Sequence, residues 1–314
     1  MYIARSGEHS VSVDELCRST GMNRVQLYKL VHRLCDLNLL HFTESQLRCR
    51  LDLDNLRVVT DLLPKLRTEV LRYRALYLER TTSTQDIVHR LARCGFEEGY
   101  VVIAEEQLRG RGRWGRTWVS PKGGLWFSVL LRPKVALPQQ ISMAASLSVA
   151  EVLNNLLKIP TYLKWPNDVV IQGRKVCGVL VESKCGKYGV EYIALGIGIN
   201  VNNEVPEELR EHATSLRDEV RQQVPRVPIL LSILKQFDQH YKHLEAKRGS
   251  RVVTRYYKLL IERNHRVRIE LINGEHIEGK VIGIDIDGSI VLSTEGKEVP
   301  IQSELVRKVH VLTE

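Results

Sequence analysis

The stretch Glu105–Trp118 reads EEQLRGRGRWGRTW. From Leu108 onward it holds Arg109, Arg111, Arg113 and Arg116, three glycines and no acid. Glycine lets backbone N–H groups come close to a ligand, and guanidinium groups grip carboxylate and phosphate in a planar fork. A loop that concentrates both is suited to an anion; the plainer alternative is a solvated basic loop. Its flanks, Tyr100 to Ala104 and Leu125 to Leu131, read as strands, so the loop is carried by a β-sheet. Gly110, Gly112 and Gly115 also satisfy G-x-G-x-x-G, but the dinucleotide fingerprint needs a helix directly after it and an acid roughly 20 residues on. Here Pro121, Gly123 and Gly124 follow, and no Asp or Glu occurs from Arg116 through Ala150. No Gly-Lys-Ser/Thr follows the glycines, which excludes a P-loop.

Working outward, Tyr162 to Glu182 reads YLKWPNDVVIQGRKVCGVLVE. Lys164, Asn167 and Asp168 put a cation, an amide and a carboxylate together at a turn fixed by Pro166. Val169 to Ile171 and Val176 to Glu182 read as a hairpin through Gln172-Gly173-Arg174, with Lys175 beside the same hairpin. Two lysines suit phosphates, and one carboxylate suits Mg²⁺; a plain β-turn is the alternative. Arg80 to Asp86 (RTTSTQD) can line a polar pocket, or cap a helix running from Gln85. Tyr192 to Val201 (YIALGIGINV) reads as a buried strand whose Gly196 and Gly198 share one face, leaving a flat floor for close backbone approach; a tightly packed helix is the alternative.

The chain of 314 residues is long enough for two or three domains. No apolar run reaches the ~18 residues of a membrane span, and the N-terminus lacks a signal-peptide apolar region. The six cysteines contain no C-x-x-C, which fits reduced thiols in a cytoplasmic protein. Net charge is +9. Residues 1–55 are neutral and residues 263–314 carry net −2, so the section holding the Arg loop carries +11. That favours an anionic small molecule or an acidic protein partner over general coating of nucleic acid.

At the N-terminal end, Ser12 with Glu15 forms a capping box for a short helix, Gly21 marks a turn, and Asn23 caps a second helix with Val25, Leu27, Leu30, Val31 and Leu34 apolar. Strands at Leu39 to Phe42 and Leu47 to Leu53 follow. This plan is a winged helix-turn-helix over residues 1–60, offering Arg24, Gln26, Lys29, His32 and Arg33 to a DNA groove. A protein-contact domain is the alternative, and the segment before Ser12 is short for a complete first helix. Asn55 to Leu78 reads as a connector, helical from Lys65 to Tyr77. Ser142 to Leu157 reads as an amphipathic helix with Ala145, Val149, Val152 and Leu156 on one face. Pro228 to Lys247 and Val252 to Ile261 read as helices. From Arg263, short strands punctuated by Asn273-Gly274, Asp287-Gly288 and Glu295-Gly296 read as an SH3-like β-barrel over residues 263–314, which Val306 to Leu312 closes. The fold class is therefore α+β, with a mixed sheet and helices over residues 65–262.

An Arg-Gly loop, two lysines, a carboxylate and a glycine floor suit condensation of a carboxylate with a nucleotide α-phosphate, or another phosphoryl chemistry. Thr82-Ser83-Thr84, GRGRWGR from Gly110, Trp118, KWPND from Lys164, GVLVE from Gly178 and GIGIN from Gly196 occur in order. In this the sequence resembles the biotin–protein ligases, specifically the bifunctional biotin-operon repressor type, over nearly its whole length. Gln85 and Trp114 depart from the family's common Asn and Arg. The resemblance implies a class II synthetase-like catalytic domain that makes biotinyl-5′-AMP from biotin and MgATP. The biotinyl group then passes to a lysine of biotin carboxyl carrier protein, the acetyl-CoA carboxylase subunit.

It implies that Ser83, Thr84, Gln85, Gln107 and the Gly178 backbone hold the biotin head. Arg111, Gly112 and Arg113 close over carboxylate and phosphate, and Lys175 contacts either. Lys164, Asn167 and Asp168 serve the triphosphate and Mg²⁺. Trp118 braces the loop beside the nucleotide, and Gly196, Gly198 and Asn200 line the pocket. It further implies operator DNA as a partner and a homodimer with the adenylate as corepressor. A lipoate ligase of related fold and a non-catalytic, ligand-sensing DNA regulator are the rival readings; RNA binding by the barrel is a third, which its net −2 disfavours.

Overall fold

A computed structural model describes residues 10–28, 31, 40–42, 46–49, 53–187 and 189–312. The architecture is α+β, with a central mixed sheet and a C-terminal antiparallel sheet.

In the N-terminal segment, strand β1 (Ser10–Ser12) leads into helix α1 (Val13–Thr20). Ser12 Oγ accepts from Glu15 N–H at 3.2 Å, and Gly21 ends the helix at φ +67°, a conformation that favours glycine. Residues 24–28 are helical. Asn23 and Gln26 cap this turn reciprocally at 2.9 and 3.1 Å. Leu27 and Val31 are buried, but Val25 is 64% exposed, so it does not belong to the apolar face. Strands β2 (Leu40–Phe42) and β3 (Gln46–Cys49) complete a three-stranded antiparallel sheet of order β1-β3-β2.

The connector differs from its sequence reading. Leu56, Val59, Leu62 and Leu63 are buried in the central core. The segment expected to be helical instead forms a turn, where Asp238 accepts N–H bonds from Glu69, Val70 and Leu71, and then strand β4 (Arg74–Thr81). Parallel pairing with β5 (Tyr100–Arg111) and the packing of Ala75 and Tyr77 onto the core override the local helical preference.

Strand β6 is Thr117–Ser120, β7 Leu125–Leu131, β8 Thr161–Lys164, β9 Asp168–Ile171, β10 Arg174–Gly186 and β11 Gly189–Ile199. The central sheet runs β4-β5-β7-β11-β10-β9-β8, with β6 paired on β5. Among the described residues, β4 with β5 is the one parallel strand pair of this sheet. Alternation sorts the two faces. Leu125, Phe127, Val129 and Leu131 of β7, with Ile193, Leu195, Ile197 and Ile199 of β11, enter the main core. That core includes the long helices Pro138–Leu157 and Arg226–Glu245 and the shorter Ser250–Leu259. The first of these is buried almost all round between Ile141 and Ala150, so it is a central helix rather than a one-sided amphipathic one. The opposite face holds a smaller cluster of Val102, Leu130 and Ala194 under helix Thr84–Arg93. Ser128, Gly196 and Gly198 follow the alternation onto this second face.

The C-terminal strands Arg266–Leu271, His276–Ile284, Ile290–Thr294, Lys297–Ile301 and Val306–Val311 form a five-stranded antiparallel sheet. The last strand pairs with the first, and among the described residues no pairing joins it to Lys297–Ile301. Val267, Ile269, Ile290 and Leu292 share the main core with the central helices. Among the described residues no helix is long and apolar enough to cross a membrane.

Candidate functional site

The second face of the sheet is cut back by small residues in register. Ser128 pairs with Gly196 and Gly196 with Leu180; Trp126 pairs with Gly198 and Gly198 with Gly178. The resulting depression opens into a cavity of about 700 Å³. A Cβ on Gly196 would stand 3.1 Å from the Gln85 amide, and one on Gly198 would stand 2.5 Å from Trp118 Nε1. Both glycines thus form a floor on which side chains lie directly.

The Arg-Gly stretch is less of a loop than its composition suggests. β5 continues to Arg111, and β6 folds back on it with Gly110 opposite Trp118 and Arg111 opposite Thr117. At the tip, Trp114 and Gly115 both take positive φ, 60° and 70°, which is unusual for a tryptophan.

One end of the cavity is neutral and polar. Ser83, Thr84 and Gln85 are buried. Ser83 stands at the helix N-cap position without a side-chain capping bond, because the first turn is held from the sheet instead. Gln107 Oε1 accepts from Thr84 N–H at 2.9 Å and Thr84 Oγ1 at 3.1 Å. Gln85 Nε2 donates to the carbonyls of Ala194 and Leu180 at 3.2 and 3.4 Å, while its Oε1 is buried without a partner. The buried Trp118 Nε1 also lacks a partner. Two buried groups with unmet hydrogen-bond capacity beside a floor of glycine are what a polar ligand would complete.

The other end is cationic. Arg111, Arg113, Arg116, Lys164, Lys175, Arg307 and Lys308 line it, and Asp168 is its one acid among the described lining residues. Lys175 Nζ lies 2.6 Å from Asp168 and 5.0 Å from the Trp118 ring centroid. Lys164 has no ion-pair partner among the described residues and adjoins the turn at Trp165–Pro166, a cis peptide. Arg113 donates to the Ser303 carbonyl, and Arg116 to that of Arg307 at 3.5 Å. These bonds tie the ribbon tip to the C-terminal sheet. Burial holds the Arg113 guanidinium below its usual value, opposed by Glu304 and Asp168; it stays charged at any physiological pH.

Several expected residues have other partners here. Arg111 is bound by Asp86 at 2.6 Å and Glu182 at 3.1 Å. Glu182 also meets His89 Nε2, whose Nδ1 meets the Tyr192 hydroxyl. Burial acts to raise Asp86, but its bonds from Arg111 and Thr82 outweigh that and hold it below its ordinary value. The Arg111 charge is thus already neutralised by protein. Asn167 Nδ2 donates to the Val179 carbonyl, and its own carbonyl accepts from Val179 N–H at 3.0 Å, which docks the turn on β10. Asn200 Oδ1 accepts from Asn203. Gly112 makes a ribbon bond to Arg116 at 2.7 Å. Arg24 pairs with Asp14 at 2.6 Å, and Gln26 closes its own helix cap; Lys29, His32 and Arg33 lie outside the described residues. Among the described residues no group of three metal-ligating side chains occurs.

Two parts of the cavity wall were missed in the sequence. Val205, Pro206 and Leu209 form an apolar side with His212 beside them, and Arg307, Lys308 and His310 of the last strand form a basic one. The signal for the second was present: three bases in four residues, hidden in a unit whose net charge is negative.

Beneath the Lys164–Asp168 turn lies Glu262, wholly buried, with Oε2 accepting from Trp165 N–H at 3.4 Å and Oε1 unpartnered. Burial pushes its carboxyl up to about 7; N–H bonds from Glu262 and Trp165 and the charge of Lys164 oppose this. A folded value above the ordinary 4.5 means that the folded chain binds this proton more tightly. Its stabilising contribution is complete below pH 4.5 and is lost as pH rises through 7. Glu262→Gln is expected to remove this part of the pH dependence, on the order of 3 kcal/mol. Urea unfolding of both proteins at acidic and neutral pH measures it, and equal slopes would contradict the assignment.

The comparisons with known proteins agree with one another. Residues 77–200 match the model of the biotin/lipoate A/B protein ligase family. The bifunctional ligase/repressor BirA of Bacillus subtilis is 35% identical over 73% of this chain and 72% of its own length. The biotin–[acetyl-CoA-carboxylase] ligase of Mycobacterium tuberculosis is 32% identical over 71% of this chain and 85% of its own. The biotin protein ligase of Aquifex aeolicus, solved in complex with biotin and ATP, superposes with a TM-score of 0.67 at 34% identity, covering 76% of this chain and 99% of that one.

Proposed function

We propose, from the premise that this chain belongs to the biotin–protein ligases of the biotin/lipoate A/B family, that it is an ATP-dependent ligase that adenylates biotin and transfers the biotinyl group to a protein lysine. The observation that carries this reading is the two-ended cavity. A neutral polar end over a glycine floor suits the uncharged fused ring of biotin. A cationic end suits the biotin carboxylate and the ATP phosphates together.

In the first step a biotin carboxylate oxygen attacks the α-phosphorus of ATP, the α–β anhydride bond breaks, and pyrophosphate leaves. Lys175 neutralises charge around the carboxylate and α-phosphate, Lys164, Arg116 and Lys308 around the departing phosphates, and Arg113 closes over the adenylate once it has formed. The apolar side at Val205, Pro206 and Leu209, with Asn200, receives the base. Asp168 would be the carboxylate that holds Mg²⁺, whose charge would offset that of the phosphates. In the second step the acceptor's lysine amine attacks the biotinyl carbonyl, AMP leaves, and the amine loses a proton. Arg111 acts differently from the other bases: fixed by Asp86 and Glu182, it braces the ribbon against the sheet and contributes its backbone to the ligand.

Arg113→Gly is expected to release the adenylate about 10–100-fold faster while pyrophosphate formation stays near normal, since a charged hydrogen bond contributes roughly 1.5–3 kcal/mol. Unchanged release would remove Arg113 from the clamp. The acceptor we assign is biotin carboxyl carrier protein. Incubation with biotin, ATP and that protein should add the mass of one biotinyl group to it, and no addition would refute this acceptor.

The domain reading is winged helix-turn-helix over 1–60, ligase over 65–262 and SH3-like over 263–314. The helix, Gly21 turn and second helical segment, with relatives named ligase/repressor, support operator binding by an adenylate-bound homodimer. Lys29→Ala and Arg33→Ala should bind DNA more weakly with a shallower salt slope; equal binding would favour a protein-contact role.

A further inference from the structure

Gln107 stands at the neutral end of the cavity, and its amide has no freedom to turn round. The Thr84 backbone N–H can only donate, and it lies 2.9 Å from one end of the amide. That end is therefore the carbonyl Oε1. The other end, Nε2, faces Ser120 Oγ at 3.0 Å. Ser120 sends its own proton to the Trp118 carbonyl, 3.0 Å away, which can only accept. Three hydrogen bonds thus run from a backbone donor to a backbone acceptor, and both ends have fixed polarity.

The local backbone is built for this contact. A register shift between Gln107 and Gly110 sets Ser120 opposite Gln107. A Cβ on Gly110 would stand 2.6 Å from Ser120 Oγ and 2.3 Å from the Trp118 carbonyl oxygen, so only glycine admits this crossing. Ser120 is 4% exposed.

We infer that Ser120 is a positioning residue that sets ligand specificity: it holds the Gln107 amide so that the remaining Nε2 hydrogen is the donor offered to the ligand's head. This rests on the biotin-ligase reading above. The ligand edge that fits carries a carbonyl acceptor, as a cyclic urea does. A cyclic guanidinium of the same shape carries N–H donors there and meets donor with donor. Desolvated polar mismatches of this kind discriminate strongly, because neither group finds another partner.

The test uses biotin and its 2-imino analogue, cationic at neutral pH, as alternative substrates in ATP–pyrophosphate exchange. The wild type should prefer biotin. Ser120→Ala should raise the KM for biotin about tenfold, with kcat within about twofold, and shrink the preference over the imino analogue about tenfold. Ser120→Thr, which keeps the hydroxyl, should restore both. Gln107→Glu accepts at both oxygens and should shift the preference toward the cationic analogue, which keeps the test open should Ser120→Ala not fold. A Ser120→Ala enzyme with unchanged preference, or with lower kcat and stability alone, overturns the inference and leaves the ligase reading standing. The same holds for an unshifted ranking in Gln107→Glu. A wild type without biotin-dependent exchange overturns both.

Discussion

Lys175→Ala is expected to raise the biotin concentration for half-maximal ATP–pyrophosphate exchange about a hundredfold, and to lower kcat/KM by about 10²–10³. Two terms act together. The ammonium that faces the ligand carboxylate is lost. Until Mg²⁺ and nucleotide arrive, Asp168, now 2.6 Å from Lys175 Nζ, is left as an uncompensated negative charge in a cavity meant for anions. Truncating one member of a hydrogen-bonded charge pair costs roughly 2–5 kcal/mol, much of it from the partner left behind. Lys175 and Asp168 keep 31% and 25% of their side-chain surface exposed, so the fold should survive the change. The second term can be isolated. In biotin titrations without ATP or Mg²⁺, adding Asp168→Asn to Lys175→Ala should recover part of the biotin affinity, a coupling that a double-mutant cycle reads directly. An unchanged biotin dependence in the single variant would contradict contact between Lys175 and the ligand.

Gly198→Val is expected to abolish most biotin binding, a loss of about a hundredfold or more, while leaving the fold intact. A Cβ at this position stands 2.5 Å from Trp118 Nε1 and 2.9 Å from Cε2. Real side chains do not approach so closely, so the indole must leave the floor. The backbone itself is indifferent: Gly198 lies in a regular antiparallel strand between Trp126 and Gly178, where valine has high β propensity. Gly283→Ala serves as the control, since a Cβ there meets nothing nearer than 4.0 Å. Thermal melting and biotin titration on the three proteins give the result. Normal biotin affinity in Gly198→Val would show that the indole seated on this floor does not border the ligand.

What could be seen in the sequence divides along physical lines. The strand Leu125–Leu131 is apolar but for Ser128 because both faces are covered, and its bounds were legible from that alone. The hairpin at Gln172-Gly173 was legible because both residues take positive φ in a tight turn. β4 was not. Its edge position gives it a half-exposed pattern, and only the parallel partner 26 residues away makes it a strand. In the site, Thr84, Lys175 and the glycines announced themselves by local composition, whereas Gln107 came from the resemblance alone. The restraint on Arg111 did not: Asp86 and Glu182 lie on a helix and a strand distant in sequence. The last strand's bases were masked by the acidic residues around them, and sequence charge totals do not tell which side of a strand faces a cavity.

The central claim is that the two-ended cavity joins a biotin carboxylate to a nucleotide phosphate. ATP–pyrophosphate exchange on the purified chain tests it most directly, with biotin, with lipoate and with neither. Exchange that requires biotin and is absent with lipoate is the predicted result. Exchange with lipoate alone would keep the adenylation chemistry and overturn the substrate, and no exchange with either would contradict the account.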